Sequence, residues 1–267
     1  MPSLPPTIKS LVLDMDGVLW KESTPIGDLV EIFGTISRRG LKVCLATNNA
    51  TRTPEQYLER LYGFGVKDLE VWQIVTSAEA LARELEKRFL RRGAVYVIGE
   101  TGLYKALTDS GFKVIDEDNW NPAESICAVV SGMDREINYA KLRRATLLIR
   151  QGVPFYATNP DRTFPTPEGL APGAGALAAA LATASGVEPV FVGKPAPFMF
   201  DLARERLNTS PQETLIVGDR LETDIAGGQA AGCPVALVLS GVSTPEMALA
   251  WTPRPDFVVP DLAALLA

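Results

Sequence analysis

The chain contains no histidine among its 267 residues. This absence excludes every mechanism in which an imidazole acts as a base, a nucleophile or a metal ligand. Proton transfer near neutral pH must then fall to carboxylates or to Lys, Tyr or Cys side chains. A metal ion held by carboxylates would be a hard ion such as magnesium rather than zinc.

Cysteines and long apolar runs are also scarce. Cys44, Cys127 and Cys233 lie far apart in apolar, strand-like stretches, so we interpret them as buried small side chains rather than as metal ligands or disulfide partners. No apolar run is long enough to span a bilayer. The N-terminal stretch MPSLPPTIKS lacks the basic and apolar regions of a secretory signal. We therefore predict a cytoplasmic protein with no membrane partner.

Positive charge is in deficit. The 26 Lys and Arg residues face 32 Asp and Glu residues, which gives a net charge of -6, and no basic block stands out. Such a chain lacks a footprint for a phosphate backbone, so nucleic acid is not a predicted partner. The length is sufficient for two domains with separate cores.

Short apolar runs alternate with amphipathic segments of helical length, which is typical of a doubly wound α/β fold with a parallel sheet. The runs at 10–14, 42–47, 189–194, 214–219 and 234–241 are the predicted strands of a first sheet. A second series lies at 94–99, 112–116, 127–132 and 154–159. We predict a core of residues 1–90 and 189–267 and an inserted α/β domain of residues 91–188. Residues 163–175, rich in Pro and Gly, are a predicted irregular loop.

Two aspartates follow the first predicted strand. Asp14 and Asp16 lie two positions apart, so in extended backbone their side chains point the same way. Two adjacent carboxylates raise the pKa of at least one of them unless a cation compensates. The pair therefore suits metal binding with acid–base catalysis. The alternative is an ordinary turn at Asp16 and Gly17, with Asp14 as a cap.

Polar residues also follow other predicted strands. Thr47, Asn48 and Asn49 precede a helix and would form an anion cradle, although a plain polar turn fits them as well. Lys194 would neutralise a dianion beside Asp14, but a single lysine at a strand end is more often solvated. Ligands of open parallel sheets bind at the carboxyl ends of the strands, so these groups are expected at one edge.

The last two candidates are Asp219, at the end of a predicted strand, and Asp224, at a predicted helix start. Metal coordination explains Asp219 better than a turn does. The alternative for Asp224 is a helix cap or a favourable interaction with the helix dipole.

These residues lie in motifs that resemble those of the haloacid dehalogenase (HAD) superfamily of aspartate-nucleophile phosphatases. The resemblance covers nearly the whole chain. Two stretches further resemble the NagD/4-nitrophenylphosphatase-like subgroup, SGMDREINYAKL and ATNPDRTFPTPEGLAPGAGAL. The resemblance implies a HAD-like doubly wound core with an inserted C2-type α/β cap. The four motifs, in chain order, are DMDGVL, ATNN, GKP and GDRLETDI.

The resemblance implies roles for the candidate residues of the first two motifs. Asp14 would attack phosphorus and form an aspartyl-phosphate. Asp16 would protonate the leaving alcohol and then activate the hydrolytic water. Thr47 and Asn48, with Asn49, would bind phosphoryl oxygens.

The resemblance also implies a magnesium site. Mg²⁺ would sit between the Asp14 carboxylate, the Asp16 backbone carbonyl and the Asp219 carboxylate. Lys194 would stabilise Asp14 and the phosphate charge, and Asp224 would be a supporting acid near the metal or Lys194.

Substrate choice would belong to the cap. The candidate residues for it are Asn159, Asp161, Arg162 and Phe164, and the alternative is a hydrogen-bonded loop that only shapes the cap. Phosphoglycolate, nucleoside monophosphates, pyridoxal phosphate, sugar phosphates and aryl phosphates all remain candidate substrates. A homodimer is a further expectation from the family.

The resulting hypothesis is a Mg²⁺-dependent phosphatase of small phosphorylated metabolites. Asp16 favours it over a dehalogenase, because that branch of the family generally lacks the second aspartate. A phosphotransferase remains an alternative. A phosphoacceptor or phosphometabolite-binding module without turnover is the alternative from another class.

Overall fold

The protein is described here by a computed structural model that covers residues 4–166 and 168–267. Short 3₁₀-helices span Val71–Gln73 and Pro211–Glu213, and a π-helix spans Leu221–Ile225. The strands are β1 (Ser10–Leu13), β2 (Trp20–Lys21), β3 (Thr24–Pro25), β4 (Lys42–Thr47), β5 (Ile74–Thr76), β6 (Ala94–Ile98), β7 (Lys113–Ile115), β8 (Ile126–Ser131), β9 (Phe155–Ala157), β10 (Thr163–Thr166), β11 (Gly169–Pro172), β12 (Val190–Phe191), β13 (Thr214–Gly218), β14 (Val235–Val238) and β15 (Phe257–Val259). The α-helices are α1 (Leu29–Arg38), α2 (Pro54–Gly63), α3 (Ser77–Arg88), α4 (Thr101–Asp109), α5 (Tyr139–Arg150), α6 (Ala174–Ser185), α7 (Phe198–Leu207), α8 (Ala226–Ala230), α9 (Pro245–Ala250) and α10 (Leu262–Leu265).

The chain forms two compact units. The first unit comprises residues 1–47, 54–75 and 194–267, and the second comprises residues 48–53 and 76–193. Residues 1–3 and 167 lie outside the described part of the chain. The second unit is thus inserted in sequence into the first.

The first unit is built on a sheet with the strand order β15-β14-β13-β1-β4-β5. β1 pairs in parallel with β13 on one side and with β4 on the other. Strand order therefore reverses between β1 and β13, as in doubly wound sheets, whose ligands bind beyond the carboxyl ends at such a point. The predicted α/β class with a parallel sheet is confirmed.

The burial of the first sheet follows from its sequence. β1 has the apolar run Leu-Val-Leu after Ser10, and all four of its residues are buried, as expected for a strand covered on both faces. Helix α1 is amphipathic and packs Leu29, Ile32 and Ile36 into the same core. Asp28 caps that helix by accepting a hydrogen bond from the backbone N–H of Glu31.

The second unit contains its own parallel sheet, in the order β12-β9-β8-β6-β7. Tyr96, Val129 and Phe155 from three of its strands pack with Leu181 of α6 in a separate apolar core. The four strands predicted for this part of the chain, β6 to β9, are all present.

Residues 189–194 were predicted as a strand of the first sheet, and this prediction is wrong. The strand in this run is Val190–Phe191, and it pairs in parallel with Tyr156 and Ala157 at the edge of the second sheet. An apolar run predicts burial between layers but carries no information about which sheet it joins.

The bounds of the units also differ from the predicted junctions at 90/91 and 188/189. Helix α3 belongs to the second unit, where it packs against α4. A reciprocal capping box starts α3, with hydrogen bonds between Thr76 and Glu79 in both directions. The chain therefore changes unit at the start of this helix rather than at its end.

Residues 163–175 were predicted to be an irregular loop, yet most of them form regular structure. β10 and β11 pair as an antiparallel ribbon, with Thr163 opposite Pro172 and Thr166 opposite Gly169. A two-stranded ribbon has two open edges, so it tolerates prolines that a central strand excludes. Pro167, within this stretch, lies outside the described residues.

Both edge strands of the first sheet were missed in the sequence. β5 and β15 have three residues each and stand beside Gln73 and Pro260, so neither gives a clear periodic signal. Within residues 4–166 and 168–267, no helix combines the length and the apolar character needed to cross a bilayer.

Truncation of Leu181 tests the separate core of the second unit. Leu181 is fully buried, so Leu181→Ala leaves a cavity and is expected to lower the free energy of unfolding by about 2–5 kcal/mol. Leu90→Ala is the control, because Leu90 is 83% exposed and its truncation should change stability by less than about 0.5 kcal/mol. Urea unfolding followed by circular dichroism measures both. Equal midpoints for the two variants would contradict the assigned core.

Candidate active site

Asp14 and Lys194 form the centre of a charged cluster in the first unit. The backbone N–H of Asp14 donates to Val217 O at 2.8 Å, which extends the pairing of β1 with β13 by one residue and fixes the direction of the side chain. Lys194 Nζ lies 2.5 Å from Asp14 Oδ1 and 2.7 Å from Asp224 Oδ1. It also donates to Ala46 O at 3.1 Å.

The environment of Lys194 favours its charged form. Its side chain is only 3% exposed. Burial lowers the pKa of Lys194. The Asp14 and Asp224 carboxylates together raise it by more than burial lowers it, so the pKa lies above its usual value. A solvated lysine, the alternative from the sequence, is excluded by these contacts.

Asp219 follows β13 and presents one oxygen without a partner. Its Oδ2 atom accepts a hydrogen bond from the backbone N–H of Val242 at 2.8 Å. Its Oδ1 atom is buried and has no hydrogen-bond partner among the described residues. A buried, unsatisfied carboxylate oxygen is costly unless a ligand or ion completes it.

Glycines make room for Asp219. A Cβ atom on Gly17 would lie 2.4 Å from Asp219 Oδ2, and Gly17 has a φ of +85°. A Cβ atom on Gly241 would lie 1.9 Å from the same oxygen. Both positions therefore require glycine for the carboxylate to sit where it does.

Asp224 supports the cluster from the π-helix. Its Oδ2 atom accepts from the backbone N–H groups of Asp219 and Arg220, at 3.2 and 3.1 Å. Its Oδ1 atom pairs with Lys194. Asp224 is thereby placed to hold both the lysine and the 219–220 backbone.

The cluster suits a divalent cation. One carboxylate oxygen from each of Asp14, Asp219 and Asp224 lies within 4.8 Å of the others. These three acids and Lys194 leave two negative charges in excess when all are ionised. Hard oxygen ligands and the unsatisfied Asp219 Oδ1 fit Mg²⁺.

Burial is the main cause of the raised pKa values of two acids in the cluster, and the neighbouring carboxylates add to it. Burial raises the pKa of Asp14 well above its usual value, and Asp224 and Asp219 add to the effect while Lys194 opposes it. Burial, and then the Asp224 charge, raise the pKa of Asp219 to about 6. A cation beside these groups would favour their ionised forms.

Asp16 lies on an exposed turn and is held by a residue that sequence reasoning missed. Its Oδ1 atom accepts a hydrogen bond from the indole N–H of Trp20 at 2.8 Å. Trp20 is fully buried. An aromatic residue at a strand end is normally interpreted as part of the core. Only the spacing of four residues between Asp16 and Trp20 could have indicated this contact.

The loop after β14 also supports the site and was not recognised in the sequence. Ser240 Oγ donates to Gly17 O at 2.7 Å. Ser243 Oγ accepts from the backbone N–H of Leu221 at 3.2 Å, and the Ser243 N–H donates to Asp219 O at 3.1 Å. The signal for this loop was a polar stretch at a strand end, similar to the four that were recognised.

Thr47, the last residue of β4, is buried in the first unit at the carboxyl edge of the sheet. Asn48 and Asn49 fall in the 48–53 segment of the second unit. Asn49 Oδ1 accepts from the backbone N–H and the hydroxyl of Thr51, at 2.9 and 2.7 Å. Through its Oδ1 atom, Asn49 thus closes a polar turn with Thr51.

Three predicted residues of the second unit are in mutual contact. Asn48 Nδ2 donates to Asp161 Oδ2 at 3.2 Å, and Asn159 Nδ2 donates to Asn48 O at 2.7 Å. Asn159 Oδ1 accepts from the Asp161 N–H at 3.1 Å. Arg162 is exposed and Phe164 lies in β10, paired with Ala171.

Two family models match the chain. A model described as haloacid dehalogenase-like hydrolase matches residues 11–113, and one described as HAD-hydrolase-like matches residues 191–265. The first match contains Asp14, Asp16 and Thr47, and the second contains Lys194, Asp219 and Asp224.

Curated proteins resemble the chain over most of its length. The 5'-nucleotidase YutF of Bacillus subtilis is 36% identical over 240 residues, which cover 90% of each chain. An acid sugar phosphatase of Staphylococcus aureus is 36% identical over 238 residues, which cover 89% of each.

Solved structures superpose on nearly the whole chain. NagD from Escherichia coli has a TM-score of 0.86 and 34% identity, covering 96% of this chain and 97% of NagD. A glycerol phosphate phosphatase, Rv1692 of Mycobacterium tuberculosis, in complex with magnesium, has a TM-score of 0.89 and 32% identity, covering 99% of this chain and 79% of that one. These matches show that the chain belongs to the haloacid dehalogenase-like hydrolases.

Proposed function

We propose that the protein is a Mg²⁺-dependent phosphatase that hydrolyses small phosphomonoesters through an aspartyl-phosphate on Asp14. The observation that carries the proposal is the buried ammonium of Lys194 between Asp14 and Asp224, beside the unsatisfied Oδ1 of Asp219. The names of the relatives, a 5'-nucleotidase and sugar, glycerol phosphate and nitrophenyl phosphatases, support the substrate class.

Asp14 is placed to act as the nucleophile. A carboxylate and a phosphate dianion repel each other, so the attack requires positive charge on both. Lys194 supplies one such charge and fixes Asp14 Oδ1, which leaves the carboxylate in a single orientation. Attack by Asp14 on phosphorus forms the aspartyl-phosphate as the bond to the leaving alcohol breaks.

Asp219 and Asp14 would hold Mg²⁺ with their carboxylates, together with the backbone carbonyl of Asp16. When bound, the ion supplies the charge that offsets the phosphoryl oxygens and favours ionised acids. Asp224 keeps Lys194 and the 219–220 backbone in place for this task.

Asp16 is the proposed proton donor. It would give its proton to the oxygen of the leaving alcohol and then take a proton from the water that hydrolyses the aspartyl-phosphate. Its position on the turn after β1, two residues beyond Asp14, supports this role.

The substrate is a small phosphorylated metabolite. Thr47, Asn48 and Asn49 are the proposed phosphate-binding residues, and Asn159, Asp161, Arg162 and Phe164 the proposed residues of substrate choice. The network of Asn48, Asn159 and Asp161 supports a joint role for these three. The cytoplasmic location and the homodimer stay predictions.

Replacement of the nucleophile gives the first test. Asp14→Asn keeps the shape of the side chain but removes its nucleophilic charge, so turnover of 4-nitrophenyl phosphate with Mg²⁺ should fall more than about 1,000-fold. Circular dichroism checks that the fold persists. Near-normal turnover by this variant would eliminate Asp14 as the nucleophile, and no turnover by the unmodified protein would favour a binding module.

Replacement of Asp219 tests the cation site. Asp219→Asn removes one ligand charge, so the Mg²⁺ concentration for half-maximal activity should rise by at least about 10-fold. Asp201→Asn is the matched control, because Asp201 lies in the same unit on α7 and pairs with Arg204. Titration of activity with MgCl₂ measures both variants. An unchanged half-maximal concentration in Asp219→Asn would place the ion elsewhere.

A further inference from the structure

Trp20 contacts Asp16 through the only polar atom of its side chain. The indole Nε1–H donates to Asp16 Oδ1 at 2.8 Å. The carboxyl group of Asp16 lies on an exposed turn, whereas the indole is fully buried. An exposed acid is thereby hydrogen-bonded to a side chain that lies in the core.

The indole itself is fixed from several sides. Trp20 belongs to the apolar core of the first unit. The Arg60 guanidinium lies 4.2 Å from the centroid of its ring, and the Phe64 ring lies 5.9 Å away. A cation above an indole ring and a neighbouring aromatic ring are both attracted by the quadrupole of the indole, and these contacts restrict its orientation.

The backbone between the two residues is equally constrained. The N–H of Gly17 donates to Trp20 O at 2.7 Å, and the N–H of Leu19 donates to Met15 O at 2.8 Å. These bonds close a tight turn, and Gly17 provides its positive φ. Asp16 and Trp20 are therefore brought together by the local sequence and not by the rest of the fold.

We propose that Trp20 is a positioning residue that orients the Asp16 carboxyl group for proton transfer to the leaving alcohol. This inference rests on the proposed phosphatase function. An indole N–H donates a hydrogen bond and never accepts one, so Asp16 Oδ1 must be the acceptor in this contact. The transferable proton must then reside on Oδ2, and the side chain is held in one rotamer.

The proton transfer balances at each step. As the ester P–O bond breaks, the Oδ2–H bond of Asp16 breaks and an O–H bond forms on the leaving oxygen. In hydrolysis of the aspartyl-phosphate, the oxygen of the water bonds to phosphorus and the bond from phosphorus to Asp14 breaks. Asp16 Oδ2 takes the proton that the water loses. Trp20 keeps its own proton throughout.

The test removes the N–H and keeps the shape. Trp20→3-benzothienylalanine replaces N–H by sulfur, and Trp20→Phe is the simpler variant. Two substrates of similar size are compared by kcat/KM: 4-nitrophenyl phosphate, whose leaving group needs little protonation, and 4-methylphenyl phosphate, whose leaving group is more basic. If Trp20→Phe fails to fold, the benzothienyl variant alone decides.

The expected result is selective. With either variant, kcat/KM for 4-methylphenyl phosphate should fall by about 10-fold or more, and that for 4-nitrophenyl phosphate by less than about 3-fold. In an Asp16→Asn background, the same replacement should cause no further loss, because Trp20 acts through Asp16. Trp251→Phe is the control: Trp251 Nε1 donates to Gln229 at 3.3 Å in the same unit, and its loss should leave the ratio unchanged.

The inference would be overturned if kcat/KM fell equally for the two substrates. It would also be overturned if the loss in kcat/KM added to that of Asp16→Asn. Either result would assign Trp20 to stability alone. The proposed function fails separately, if the unmodified protein releases phosphate from neither substrate. Activity that falls in Asp16→Asn but not in the Trp20 variants rejects the positioning role and leaves the phosphatase proposal intact.

Discussion

The contact on which the site depends is the buried ammonium of Lys194 between the carboxylates of Asp14 and Asp224. A lysine that is 3% exposed is stable only with its charge paired. Two acids pair it, and Asp219 adds a third negative group. The cluster is therefore overcompensated, and a divalent cation is the simplest way to balance it. Under the proposed function, that cation would also offset the charge of a phosphoryl group at this position.

The parallel sheet explains why these groups meet. Asp14 follows β1 and Asp219 follows β13, and these strands are neighbours at the point where the strand order reverses. Their carboxyl ends lie at one edge, where no further strand residues compete for space. The glycines at 17 and 241 then let the Asp219 carboxylate approach the backbone. The fold supplies proximity, and the glycines supply the close fit.

Much of this could be predicted from the sequence, because buried strands are apolar and their polar ends are conspicuous. Asp14, Lys194, Asp219 and Asp224 were recognised in this way. The 189–194 run was assigned to the wrong sheet, because apolarity predicts burial but not the neighbour. The 163–172 ribbon was missed, because its prolines and glycines indicate a loop. Trp20 was missed as well, since a sequence does not distinguish a tryptophan whose N–H has a polar partner from one that only packs in the core.

The central claim is that a covalent phosphoryl group forms on Asp14. Acid quenching during turnover of 4-nitrophenyl phosphate, followed by borohydride reduction, converts an aspartyl-phosphate to homoserine. Trypsin then releases the peptide of residues 10–21, in which fragmentation by mass spectrometry distinguishes positions 14 and 16. We expect homoserine at position 14, formed only when substrate is present. Homoserine at position 16 or at another acid, or none during measurable turnover, would contradict it.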